Sequence, residues 1–191
     1  ATHDWAYSTT NYDTILLGRA MKTDPEGNTF YNNYKIRPVA QIAGGNGGVR
    51  GFPVLLGGYF YIVSDQRMSG VAVYRVPDVP PQELNSSDPI PELELVGINT
   101  ERFGGYWPEV YASGDGRLFF VGTTSDNIQV MEVTDPSNPQ LVRDFVPTVN
   151  GIPYPFTNAS YPKFQDNLLM VDGLVVNMDR LISGHPEPVD L

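Results

Sequence analysis

Short apolar runs, broken by clusters of glycine, proline, aspartate and asparagine, dominate this chain, and almost nothing in it carries the period of an amphipathic helix. The runs Phe60-Tyr61-Ile62-Val63, Leu118-Phe119-Phe120-Val121 and Leu168-Leu169-Met170-Val171 each predict a strand. Each is preceded by an aromatic-proline pair with an apolar residue close behind: Phe52-Pro53-Val54-Leu55, Trp107-Pro108-Glu109-Val110 and Tyr161-Pro162-Lys163-Phe164. Each is followed by a further strand ending in aspartate, at Asp78, Asp135 and Asp179. The pattern recurs about every 54 residues, and several short strands per repeat at such a period are the signature of β-propeller blades.

The predicted fold class is therefore all-β: four-stranded antiparallel blades, three to four in this chain, belonging to a larger propeller of about seven blades. Residues 1–43 form a degenerate first blade, 44–98 and 99–145 complete blades, 146–183 an incomplete one and 184–191 a tail. Within 44–98 the strands are Phe52 to Leu55, Tyr59 to Val63, Val71 to Val76 and Leu93 to Ile98, with the proline-rich segment Val79 to Pro91 as a surface loop. Within 99–145 they are Trp107 to Tyr111, Arg117 to Val121, Ile128 to Val133 and Leu141 to Phe145. In this second set Asp135-Pro136-Ser137-Asn138-Pro139 is a turn before the outer strand. In the last repeat Asp172-Gly173 predicts a two-residue hairpin between Leu168 to Val171 and Leu174 to Met178, and the outer strand is missing or reduced to Arg180 to Ser183. In the first, His3-Asp4-Trp5 takes the innermost strand, Thr14 to Leu17 the second, Thr29 to Tyr31 the third and Tyr34 to Ile36 the fourth. The glycines between Gly44 and Gly48 lack the Lys-Ser or Lys-Thr of a phosphate loop and read as a connector.

About three and a half repeats do not close a propeller, because each blade buries its faces against two neighbours. Either the chain belongs to a larger polypeptide or another polypeptide chain, the expected partner, supplies the remaining blades; the alternative is a small self-contained all-β domain. The 22 acidic and 12 basic residues of the 191 give a net charge of -10 with no basic cluster, which argues against nucleic acid as a partner. No run approaches the length of a membrane span, so no membrane insertion is expected. The absence of cysteine excludes disulfides, thiolate metal sites and a cysteine nucleophile. A first residue other than methionine fits a processed, exported protein, periplasmic or extracellular.

The segment Trp107-Pro108-Glu109, then Ser113-Gly114-Asp115-Gly116-Arg117-Leu118-Phe119-Phe120-Val121, then Asn127 to Asp135, resembles a blade of certain bacterial propellers. These are the propeller domains of nitrous oxide reductase and thiocyanate dehydrogenase, both periplasmic copper enzymes, and of methanethiol oxidase. The resemblance implies an exported oxidoreductase with copper at the central channel. Nitrous oxide reductase carries histidine after the proline of its innermost strands, whereas Val54, Glu109 and Lys163 stand there in this chain. With only His3 and His185 in the whole sequence, this chain would supply one wall of a copper site.

Innermost strands line a propeller channel, so Glu109 and Lys163, at equivalent places on adjacent blades, are the candidate catalytic pair; a carboxylate and an ammonium brought together serve as acid, base or anchor. Their structural alternative is an ion pair bridging two blades. His3 and Asp4, at the corresponding place in the first blade, are the candidate metal ligands, although neighbours on a strand point to opposite faces. Phe52, Trp107 and Tyr161 read as core. Glu92, Glu94, Glu101 and Asp88 read as solvated surface, lacking calcium-loop spacing. Two functions follow: a component of a copper-dependent oxidoreductase with a small-molecule ligand at the channel, or a non-catalytic propeller module presenting loops to a partner protein.

Overall fold

The computed structural model of the chain describes residues 5–10, 14–21, 35–43, 52–63, 70–76, 91–103, 108–124, 126–154 and 162–184. They are mostly β, arranged in several antiparallel sheets, none closed on itself. The chain divides into two compact units, Ala1–Arg50 with Arg75–Glu94, and Gly51–Tyr74 with Leu95–Leu191.

The first unit holds a three-stranded meander of β1 (Trp5–Thr10), β2 (Thr14–Met21) and β3 (Lys35–Ala43). Its third strand corrects the sequence reading. β2 pairs with β3 along its whole length, from Thr14 opposite Ala43 to Met21 opposite Lys35, so no strand lies between them and the strand beginning near Lys35 is the third. Pro38 lies inside this strand, although proline donates nothing to a ladder. The ladder accommodates it with a bulge: Leu17 faces Ala40, Gly18 faces Pro38, and Val39 is the extra residue. Thr29 to Tyr31, His3 and Asp4 lie outside the described residues, as do the 79–90 loop, Trp107, Tyr161 and His185.

Two four-stranded meanders follow. The first runs β4 (Phe52–Leu56), β5 (Tyr59–Val63), β6 (Val71–Arg75), β7 (Glu94–Asn99), and the second β8 (Glu109–Ala112), β9 (Leu118–Thr123), β10 (Ile128–Glu132), β11 (Gln140–Phe145). A two-stranded hairpin, β12 (Thr148–Val149) and β13 (Ile152–Pro153), leads to a three-stranded sheet of β14 (Lys163–Gln165), β15 (Leu168–Val171) and β16 (Leu174–Asn177). The predicted strands of residues 44–145 match these within about two residues, as boundary assignments allow. The turn at Asp172 and Gly173 has φ of 49° and 82°, the two positive values that a right-twisted two-residue hairpin needs.

After β16 no fourth strand joins the sheet among the described residues, which agrees with a missing outer strand and not with a reduced one. The segment at Arg180 to Ser183 belongs to a short helix, α1 (Met178–Ser183). Asn177 caps it, its Oδ1 accepting from Arg180 N at 3.1 Å; Asp179 sits in the first turn, and Gly184 stops it at φ 89°. Met178 and Leu181, three residues apart on one helix face, are both fully buried.

The sheets pack face to face through two cores. Tyr61, Val63, Val71 and Val73 of the β4–β7 sheet meet Phe120, Met131 and Val133 of the β8–β11 sheet, with Phe103 from the β7–β8 connection filling the gap. Tyr61 and Phe120 touch edge to face, centroids 5.0 Å apart at 83°. The opposite face of the β8–β11 sheet presents Phe119, Val121, Ile128 and Val130 to Leu169, Val171, Leu174 and Val176 of the last sheet and to Met178 and Leu181.

Each outer strand also latches the next sheet's outer element. A Cβ on Gly97 of β7 would lie 2.1 Å from the Pro136 carbonyl oxygen, so the 135–139 turn sits directly on that backbone, and Asn99 Nδ2 donates to Pro139 O at 3.0 Å. One sheet on, Arg143 of β11 donates to Leu181 O (3.1 Å) and Ile182 O (2.6 Å), placing a guanidinium on the negative end of α1.

Candidate functional site

Glu109 opens β8 and Lys163 opens β14, the first strands of adjacent sheets, and the two side chains meet: Lys163 Nζ donates to Glu109 Oε1. Beneath them Tyr111 and Phe164 stack at 5.2 Å, part of the core between these sheets. The ion pair itself stands in water, with 65% of the Lys163 side chain and 35% of that of Glu109 exposed. A pair so solvated is worth roughly 0–1 kcal/mol. As placed, it straps two inner strands together, each charge answered by the other.

A second concentration of polar groups was not anticipated from the sequence. At the end of the β8–β11 sheet where β9 turns into β10, a cavity of about 380 Å³ is bordered by Glu101, Arg102, Thr124, Asp126, Asn127, Gln129, Leu141 and Asp144. Gln129 lies among apolar residues of β10 and is only 3% exposed. Its Nε2 donates to Arg102 O and to Asp144 Oδ2, both at 3.1 Å, and Asn127 Nδ2 donates to Asp144 Oδ1. The register makes this geometry, since Gln129 and Asp144 are cross-strand partners. Thr124 shapes the turn: its Oγ1 accepts from Asn127 N at 3.0 Å and Asp126 N at 3.3 Å, while its own N–H donates to Asn127 O. The Asp144 carboxylate is thus held by two side-chain amides, in a cavity that Glu101, Arg102 and Asp126 also border.

Of the acidic residues read as solvated surface, Glu101 belongs to this cavity. Glu94 pairs with Arg75 at 2.9 Å across β6 and β7, both sides well exposed, and Glu92 is exposed. Asp88 lies outside the described residues.

The remaining perturbed groups are structural in their surroundings. Burial, with the Tyr59 phenol beside it, pushes Tyr61 up to about 12. Burial and then the Asp179 carboxylate push the Tyr111 phenol up as well. In the β8–β9 turn, hydrogen bonds from Ser113 and then from Arg117 hold the Asp115 carboxyl below its ordinary value. In the 135–139 turn, Ser137 does the same to Asp135 through its hydroxyl, at 2.7 Å, and its backbone N–H, at 2.9 Å.

Among the described residues no three His, Cys, Asp or Glu side chains gather in a group that would hold a metal ion. The candidate ligands His3 and Asp4 are outside those residues, so the geometry brings together Glu109 and Lys163 alone of the four predicted site residues. No family model, curated protein or solved structure matches this chain.

Proposed function

We propose that this chain is a non-catalytic binding or scaffold module of the β-propeller kind, its blade-like sheets continued by sheets of a partner polypeptide stacked on the free face of the β14–β16 sheet. The observation that carries this reading is the unequal covering of the sheets. β5, β6, β9 and β10 are buried on both faces over nearly their whole lengths, whereas β15 and β16 bury alternate residues only. Lys163, Met170 and Val175 are cross-strand partners in one row of the other face, and Met170 is 36% exposed. That face has the same strand order as those that pack in the two cores, and a further sheet continues the established stacking. The strapped and solvated state of Glu109 and Lys163 supports a structural role over acid-base chemistry. The copper-dependent oxidoreductase reading rests on the blade resemblance, its candidate ligands His3 and Asp4 lie outside the described residues, and no observation among the described residues favours it.

The test is native mass spectrometry of the protein from its source, together with the rate of Met170 oxidation by peroxide in that form and in the 191-residue chain alone. A complex with a second polypeptide and at least tenfold slower oxidation of Met170 in it are expected. A 21.1 kDa species whose Met170 oxidises equally fast in both preparations overturns the reading.

A further inference from the structure

The cavity at the β9–β10 turn goes beyond the stacking role and depends on none of it, since its lining comes from the β7–β8 connection and the β8–β11 sheet. At about 380 Å³ it falls within the roughly 300–1,000 Å³ of small-molecule sites, yet among the described residues Leu141 is the one apolar residue that lines it. Such a lining discards apolar ligands, which would strand its polar groups without partners. It also discriminates by charge. Three acidic residues, Glu101, Asp126 and Asp144, against one basic residue, Arg102, turn anions away. Acceptors and donors side by side suit a group that both donates and accepts, and the hydroxyl is that group.

We propose that this cavity binds a small neutral polyhydroxylated ligand, a mono- or disaccharide, with Asp144 as the central acceptor and Arg102 as the matching donor. Asp144 is preorganised for this. Its two oxygens are already fixed by Asn127 and Gln129, and a carboxylate has about four acceptor positions, so lone pairs remain for ligand hydroxyls without any reorganisation. Gln129, buried and anchored also to the Arg102 carbonyl, couples the connection that carries Arg102 to the strand that carries Asp144. Adjacent hydroxyls of one sugar ring then bridge the two: one donates to Asp144, its neighbour accepts from Arg102.

The test is isothermal titration of the full chain with glucose, galactose, mannose, maltose and cellobiose, with glucuronate as the anionic control. Saturable binding of at least one neutral sugar, stronger than that of glucuronate, is expected. Arg102→Ala removes the guanidinium while leaving the backbone carbonyl that Gln129 uses, and is expected to weaken binding at least fivefold with an unchanged melting temperature. Asp144→Asn is expected to weaken it at least tenfold, and if that variant loses its fold, Arg102→Ala decides alone. No saturable binding by any neutral sugar, tighter binding of glucuronate, or affinity unaltered by Arg102→Ala would each overturn the proposal. Because none of these readouts involves Met170 or a second polypeptide, failure here is distinguishable from failure of the stacking reading.

Discussion

The β8–β11 sheet and the β14–β16 sheet share a strand order and a core, but among the described residues one buries side chains on both faces and the other on one. In the former, the middle strands read Leu-Phe-Phe-Val-Gly-Thr and Ile-Gln-Val-Met-Glu, with burial almost unbroken. In the latter, Leu-Leu-Met-Val and Leu-Val-Val-Asn are just as apolar, yet Met170 is exposed and Leu168 and Val175 are half-buried. An apolar run thus establishes that a strand forms and leaves open how many neighbours it has. The difference lies in packing, and packing is where it can be broken.

Phe120→Ala in the doubly covered sheet removes a fully buried ring that touches Tyr61, and is expected to cost about 3–5 kcal/mol in urea unfolding. Met170→Ala on the free face is expected to cost less than about 1 kcal/mol in the isolated chain. Equal losses would erase the contrast between the sheets. Next in size, Gly97→Ala drives a methyl group into the Pro136 carbonyl, and the displaced 135–139 turn is expected to cost about 1–3 kcal/mol. Asn177→Ala in the last sheet removes the cap of α1 and is expected to cost about 1 kcal/mol. It should raise hydrogen exchange in residues 178–183 while sparing the β8–β11 sheet.

The smallest effect is electrostatic. Asp115 is held below its ordinary value, so the interactions with Ser113 and Arg117 are fully present above the unfolded-state value, about 3.9, and fade as pH falls through the lower folded one. Its carboxyl resonance should titrate below that of an unperturbed aspartate, and Ser113→Ala should move it upward. A midpoint unmoved by Ser113→Ala would remove the hydroxyl as the cause.

The strands were legible because apolar runs are punctuated by turn residues, and Glu109 and Lys163 were legible as a pair because equivalent positions in adjacent repeats become neighbours. Helix α1 was read as a missing or reduced strand because six residues span less than two turns and Leu181-Ile182 looks β-like; Asn177 and Gly184 were the available cap signals. The β12–β13 hairpin was passed over although Asn150-Gly151, at φ 52° and 76°, is a strong two-residue turn signal. The cavity had a weaker sign, a glutamine inside an apolar strand. Its lining comes from Glu101 and Arg102, from Thr124, Asp126, Asn127 and Gln129, and from Leu141 and Asp144, and no single window of sequence contains it.

Every paired strand in the described sheets lies next to its partner in sequence. A ribosome therefore never has to hold one strand in wait for a distant one: each meander can close as soon as its own segment has emerged. Such short loop closures favour fast folding, with each finished sheet offering the next a template face. Asn99 and Arg143 then become timing devices, since each can engage only after the following sheet's outer element has been synthesised.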